Sequence, residues 1–449
     1  MRTHLIIRYI ALLSVWVALG ACKTFLDQPP QSAVSTEEAI ADPAGARAAM
    51  MGLYASLASG YGQTYTVYPD LLADNLAHNG SLSDLNEFKN HAILAANGSI
   101  GSLWQSFYQG INQANNLLDQ VPLIADPAFT DQKQLIAEAK FARALLYFQL
   151  VRYWGDVPLI TSPTRTADNL LVSRTPADQV YARIQTDLSE ATPDLPQVAV
   201  GRATQASAQT LSARVALQRQ DYATAATLSG AIIQRKLFSL VTDYRLLFAT
   251  RNTAESIWEL QYNSTSTNGL AFWFFSTALG GRNEVGPRGV GSSLEAAYEP
   301  GDRRKEASIS PGGILLDGKV IPTGIGIKYF RISTQDDDVL VIRYAEVLLI
   351  RAEALAQLGE LAESLALVNQ IRQRAGLGTL TIQNQNELLR TIEQERRVEL
   401  AMEGHRWFDL IRTGRAQQVL GILDPNKLRL PIPQQDLRLN PNLTQNESY

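Results

Sequence analysis

Residues 395 to 415 read "ERRVELAMEGHRWFDLIRTGR", which sets four carboxylates, five arginines and a histidine among seven large apolar side chains. As a helix, this segment would carry Glu395, Glu399 and Glu403 at i, i+4 and i+8, on one face, where like charges destabilise unless cations answer them. Val398, Leu400, Met402, Trp407, Phe408, Leu410 and Ile411 are too much apolar surface for a helix lying free in water. Part of the charge must therefore sit near a core. Buried charges survive only when paired and hydrogen-bonded, and arginine's planar fork is the usual partner of a carboxylate there. The segment predicts an ion-pair network that locks a helix to its surroundings, with Arg396, Arg397, Glu399, Glu403 and Arg406 as its members.

Catalytic readings of the same residues fail on geometry. A metalloprotease needs two histidines one helical turn apart, whereas Glu403 and His405 stand at i, i+2 and point away from each other. A glycosidase needs two facing carboxyls, one with a raised pKa. Carboxylates interleaved with Arg396, Arg397 and Arg406 would instead be held ionised. No metal site and no cofactor fingerprint follow from the sequence: a P-loop, a G-x-S-x-G elbow and a dinucleotide motif are all absent.

The chain has 449 residues, a net charge of −4 and 45% hydrophobic content, the balance of a large globular body and not of a nucleic-acid binder. Its start, "MRTHLIIRYIALLSVWVALGAC", places Arg2 and Arg8 before an apolar run ending in small residues, the layout of a secretory signal over residues 1–21. Cys22 is the single cysteine, so no disulfide forms within the chain, and it stands where the signal would be cut. "LGAC" resembles the lipobox of bacterial lipoproteins, which makes Cys22 the candidate lipidation site and 22–449 the mature, membrane-tethered protein.

Helices dominate the rest. A capping box at Ser35 and Glu38 opens the first, and further helices are predicted near 99–121, 131–154, 176–191, 204–219, 221–236, 340–358, 361–375 and 385–413. Two pairs look alike: "LSARVALQRQDYATAATL" (211–228) and "IRAEALAQLGELAESLAL" (350–367) align at an offset of 139 residues. Small residues on the first helix, a short polar turn and a bulky residue opening the second make the pattern of tetratricopeptide-type hairpins. Between them, "SIWELQY" (256–262) reads as a strand, followed by a long Gly-, Ser-, Thr- and Asn-rich stretch. Residues 60–80 have the same loop-like texture.

The chain is similar to the SusD/RagB family of outer-membrane nutrient-binding lipoproteins. Seven stretches carry the likeness in the family's order: "CKTFLDQPP" from Cys22, "AEAKFARALLYFQLVRYWGDVPLI" (137–160), "RTPADQVYARIQTDLSEA" (174–191), "GRATQASAQTLSARVAL" (201–217), "RYAEVLLIRAEAL" (343–355), "ERRVELAMEGHRWFDLIRTG" (395–414) and "LPIPQQDLRLNPNLTQNESY" (430–449). The resemblance implies a mostly α fold. Tetratricopeptide-like hairpins would form a right-handed superhelical scaffold, roughly 36–240 and 340–420, with a loop-rich lobe carrying short strands at 250–340 and an extended tail at 425–449. It also implies a partner, a SusC-like TonB-dependent transporter in the outer membrane, and an oligosaccharide or peptide ligand bound without catalysis at the cell exterior.

Sugar recognition combines aromatic faces with planar polar groups. Tyr61, Tyr65, Asp74, Asn75, His78, Trp273 and Phe274 offer that chemistry, and loops held by a rigid scaffold are where such residues gather. The run "FWFF" (272–275) reads equally as a core plug, because four consecutive aromatics cannot all face one way. Trp104 and Trp154, in helical stretches, read as core. Two rival functions stand beside the binder: a periplasm-facing helical-repeat scaffold for other proteins, and a polymer-degrading enzyme.

Overall fold

Asp42, Asn97, Thr204 and Asn384 each turn a side-chain oxygen back onto an amide of the following helical turn, satisfying donors that a helix start otherwise leaves bare. The Ser35–Glu38 capping box is present as well, although its helix ends at Ala39 and a second begins at Pro43. The computed structural model describes residues 35–165 and 170–449, so Cys22 and the signal lie outside the described residues. The principal helices are α1 (Pro43–Gly60), α2 (Thr66–Leu72), α3 (Gly98–Gln120), α4 (Gln132–Trp154), α5 (Ala177–Ala191), α6 (Gln205–Gln218), α7 (Tyr222–Gln234), α8 (Tyr344–Gln357), α9 (Leu361–Arg374), α10 (Gln385–Glu399) and α11 (Arg406–Arg412).

From α3 to α7 each helix packs on the next, and α8 packs on α9; α1 lies against α3 and α4. The two look-alike hairpins, α6–α7 and α8–α9, are direct neighbours, because α7 packs on α8 across the sequence gap. Their shared core is made of small and aliphatic residues, Ala213, Ala216, Ala225, Ala226, Ile350 and Ala354 among them, which lets the helices approach closely. Gly230 serves the same contact: a Cβ there would lie 2.2 Å from Arg351 Nη1, which donates to the Ala226 carbonyl at 2.7 Å. Helix α4 runs through the middle of the array and is buried on every side from Phe141 to Trp154, so its polar residues need partners. Arg143 finds one in Asp187, through two hydrogen bonds of 2.8 Å.

The short strands are β1 (Ala77–His78), β2 (Ser256–Leu260), β3 (Val285–Gly286), β4 (Ile314–Leu316), β5 (Lys319–Ile321) and β6 (Val339–Arg343). They pair antiparallel as β1–β3, β2–β6 and β4–β5. The β2–β6 pair, running from Ser256 opposite Arg343 to Leu260 opposite Val339, closes the base of the inserted lobe.

Four expectations are corrected. Residues 340–358 are not one helix: Val339 to Ile342, a β-branched and leucine run, completes β6 before α8 begins at Tyr344. The predicted helix 385–413 breaks after Glu399, where Met402 and Gly404 both take positive φ (60° and 80°). Residues 60–72 are not a loop; a π turn over Tyr61–Tyr65 carries α1 into α2. The tail is not simply extended, since Pro425–Leu428 and Gln434–Leu439 are helical and the segment is sewn to α4: Leu430 N donates to Tyr153 O at 2.8 Å and Trp154 Nε1 to Pro431 O at 2.9 Å.

Candidate functional site

Two regions gather polar chemistry. The first is the seam between lobe and scaffold. Arg343, at the end of β6, is fully buried and donates to Glu255 at 2.8 Å, to Glu399 at 2.6 Å and to Glu403 at 2.7 Å. Arg374 adds a second cation to Glu255 and Glu399. From the lobe, Arg304 reaches Asp302, Glu395 and Glu399 at 2.8, 3.0 and 3.1 Å, and Lys328 Nζ reaches Glu403 at 2.7 Å. Burial pushes against ionisation of Glu399, but Arg374, Arg343 and Arg304 outweigh it and hold that carboxylate well below its ordinary range. The remaining members pair nearby: Arg396 with Asp409 at 2.9 Å, and Asp74 with both Arg397 (3.0 Å) and Arg406 (2.8 Å). Glu255, on the same two arginines, is instead pushed up by burial and by the neighbouring Glu399 charge, against the pull of Arg374 and Arg343.

The second region is the rim of the lobe, where distant segments meet. The short helix Leu270–Phe274 is tied through its backbone to the loop after it: Arg282 N donates to Phe272 O at 2.7 Å and Glu284 N to Trp273 O at 2.8 Å. Glu284 in turn accepts from Asn79 N at 2.9 Å through its carbonyl. Its buried carboxylate holds His78 Nε2 at 2.8 Å, the Leu82 amide at 2.7 Å and Arg282 Nε at 2.6 Å. Burial disfavours that charge, yet these donors hold the Glu284 carboxyl below its ordinary value. Gly80 is needed for the approach, since a Cβ would lie 2.3 Å from Glu284 Oε2. Lys89 bridges the same loop to α2, donating to Gly291 O and Ala73 O, both at 2.8 Å.

Trp273 is half-buried along this strip and the His78 side chain is only 9% exposed, with Asn79, Arg282 and Arg288 exposed beside them. The other candidate ligand residues sit elsewhere, and this is a correction. Tyr61 and Tyr65 are 1% and 2% exposed, their rings 4.2 Å apart inside the core; the Tyr61 hydroxyl accepts from Gln149 at 2.8 Å. The π turn faces both tyrosines inward, so neither ring is open to a ligand. Phe274 is buried with Leu270 and Ala271 on the inward side of its helix. Asn75 is fully buried and bonds Asp70 and Arg397, while Asp74 is spent on its two arginines. Asp70 is itself pushed up to about 6 by burial and is enclosed by Asn75 and the Gly404 amide at 2.9 Å.

Sequence reasoning missed Glu284, Arg282 and Asn79. "GGRNEVG" announces a tight turn but no periodicity that would say which polar group faces where. Trp104 and Trp154 lie in the core, edge to face at 5.1 Å. Among the described residues no cluster of His, Cys, Asp and Glu could hold a metal, and no helix is long and apolar enough to cross a membrane.

A stacked array of helical hairpins, interrupted by a lobe whose two ends meet in one strand pair, defines the class: a helical scaffold that carries an inserted, loop-rich segment. A SusD family model matches residues 328–427, and a second, described as starch-binding and associating with the outer membrane, matches residues 24–217. The chain is 28% identical to SusD-like protein P38 of Formosa agariphila over 507 aligned positions, covering 99% of this chain and 98% of that protein. A SusD superfamily protein of Bacteroides vulgatus superposes with a TM-score of 0.83 at 22% identity, over 91% of this chain and 99% of that one. A laminarin-binding SusD-like protein superposes with a TM-score of 0.79 at 25% identity, over 91% and 100%. The two family matches, the SusD-like relatives and the SusD-like structures together support a SusD/RagB family protein.

Proposed function

We propose that this protein captures an oligosaccharide at the rim of its lobe and delivers it, uncleaved, to a SusC-like TonB-dependent transporter, while an acylated Cys22 holds it to the outer membrane. The observation that carries the reading is the strip from Trp273 through Glu284 to His78 and Asn79, which joins segments some 206 residues apart beside exposed planar polar groups. A half-exposed indole offers a face to the apolar side of a sugar ring, and amide, imidazole and guanidinium groups match ring hydroxyls. Glu284 acts as the positioning group: locked by its donors, it fixes the His78 ring. The starch-binding description of the matching family and the laminarin-binding relative support a carbohydrate over a peptide.

The test is calorimetric titration of the purified protein with laminarin- and starch-derived oligosaccharides, followed by product analysis after long incubation. Saturable binding with no shortened product is the expected result. Turnover that survives purification and vanishes with one carboxylate substitution would overturn the non-catalytic reading. Absence of any glycan binding, with a peptide mixture retained instead, would overturn the ligand class. For the anchor, Cys22→Ala releases the protein from membranes; a variant that still sediments with membranes after a salt wash would count against acylation.

A further inference from the structure

A pocket of about 300 Å3 opens between α8, α10 and α11, and none of its lining residues belongs to the lobe rim. Its acids are each paired with arginine. Asp409 accepts from Arg396 at 2.9 and 3.1 Å and from Arg412 at 2.9 and 2.8 Å. Glu353 accepts from both terminal nitrogens of Arg412, one at 2.7 Å. Glu393 accepts from Arg406 at 3.2 Å and from Arg415 at 3.1 Å.

Its donors are not all engaged. Arg396 has a side chain only 4% exposed, and its Nη1 is buried with no hydrogen-bond partner among the described residues. Arg390, exposed on the wall of the same pocket, has no side-chain hydrogen bond or ion pair among the described residues. Arg390, Arg396, Arg412 and Arg415 thus face three carboxylates, each already accepting two or more arginine hydrogen bonds. A buried N–H without an acceptor is destabilising, and native proteins leave few of them unexplained. An acceptor arriving from outside removes that cost, and the arginine fork is matched in shape and charge to carboxylate and sulfate oxygens.

We propose that this pocket binds one oxyanion, a carboxylate or a sulfate, through Arg390 and the unused nitrogen of Arg396. Gln357, Asn386 and Thr413 on its wall supply neutral partners of the kind sugar hydroxyls use, and the volume is at the small end of ligand sites, about 300–1,000 Å3, room for one acidic sugar. Only the sugar-borne source of the anion rests on the glycan reading above; the oxyanion chemistry does not.

The experiment titrates the whole mature protein with sodium sulfate, galacturonic acid and galactose at constant ionic strength, and separately with a laminarin oligosaccharide. Sulfate and galacturonate bind saturably and compete, while galactose does not bind at this pocket. Arg390→Gln, at an exposed and unpaired position that the fold does not use, weakens both anions by at least about tenfold, the loss of one charge-assisted hydrogen bond. The same variant binds the laminarin oligosaccharide as the parent does, so a failure of the glucan reading appears only in that arm. Sulfate binding without galacturonate binding would overturn the sugar-borne source. Saturable binding by neither anion, or equal binding by parent and Arg390→Gln, would overturn the pocket.

Discussion

At the seam Arg343 reaches three carboxylates from two segments, Glu255, Glu399 and Glu403, and is itself 1% exposed; at the rim Glu284 gathers His78, Arg282 and an amide, and Arg282 and the neighbouring Asn79 stay open to water. The two sites draw on the same residue types. They differ in what is left over. Enclosure at the seam turns every charge inward, so the network can only hold pieces together, whereas one buried carboxylate at the rim fixes a surface whose other groups remain free to meet a ligand. Burial of the partners, more than the presence of charge, separates the two regions of this molecule.

That contrast is broken most directly at Glu399. Replacing it with alanine takes one carboxylate from each of Arg343, Arg374 and Arg304 in the core, and removing one partner of a buried pair costs about 3–5 kcal/mol. Denaturant titration of Glu399→Ala should show that loss while the folded fraction keeps its glycan affinity. Unchanged stability with lost binding would make the seam a site after all.

The next largest effect concerns the turn that lets Glu403 join Glu399. Gly404 holds φ at +80°, and a Cβ there would lie 2.3 Å from the Tyr65 carbonyl oxygen. Gly404→Ala should cost more than the roughly 1–2 kcal/mol of left-handed backbone alone, because a backbone atom cannot step aside. A melting temperature equal to the parent's would show that the turn relaxes freely.

A pH titration of stability sharpens the comparison. Glu399 is held well below its ordinary 4.5, so its contribution is complete above that value and fades as pH falls toward the folded-state pKa. Melting temperature should therefore drop on acidification below about pH 4.5, and Glu399→Gln should flatten that drop. An equally steep acid limb in the variant would locate the acid sensitivity elsewhere.

The smallest effect on stability belongs to the rim. Trp273→Ala should weaken oligosaccharide binding by about 1 kcal/mol or more, the scale of one aromatic contact, with a stability loss well short of Glu399→Ala. If binding holds and stability falls, the indole is a core plug and the rim has another platform.

The sequence made much of the scaffold legible because caps and small residues act locally: Thr204 places the start of α6, and alanines at matching offsets expose the two hairpins. What lay beyond it were the effects of tertiary partners. β6 runs without a turn signal into α8, and only the facing β2 makes it a strand. Tyr61 and Tyr65 share a texture with exposed binding loops, and a π turn sends them inward. At the rim Trp273 was legible as an aromatic in a polar stretch, but the role of Glu284 depends on residues some 206 positions away, which no local pattern reports.

The strand pair at the lobe's base also bears on how this architecture can change over time. Seen from the helical array, everything between Leu260 and Val339 is one loop whose ends are already joined. The entropy of closing a loop grows only logarithmically, about 0.6 kcal/mol for each doubling of length. Segments can therefore be added to or removed from the lobe at small thermodynamic cost to the array beneath it. The exposed turns of the lobe can vary in length while Arg304 and Lys328, its contributions to the buried network, hold it to the hairpins.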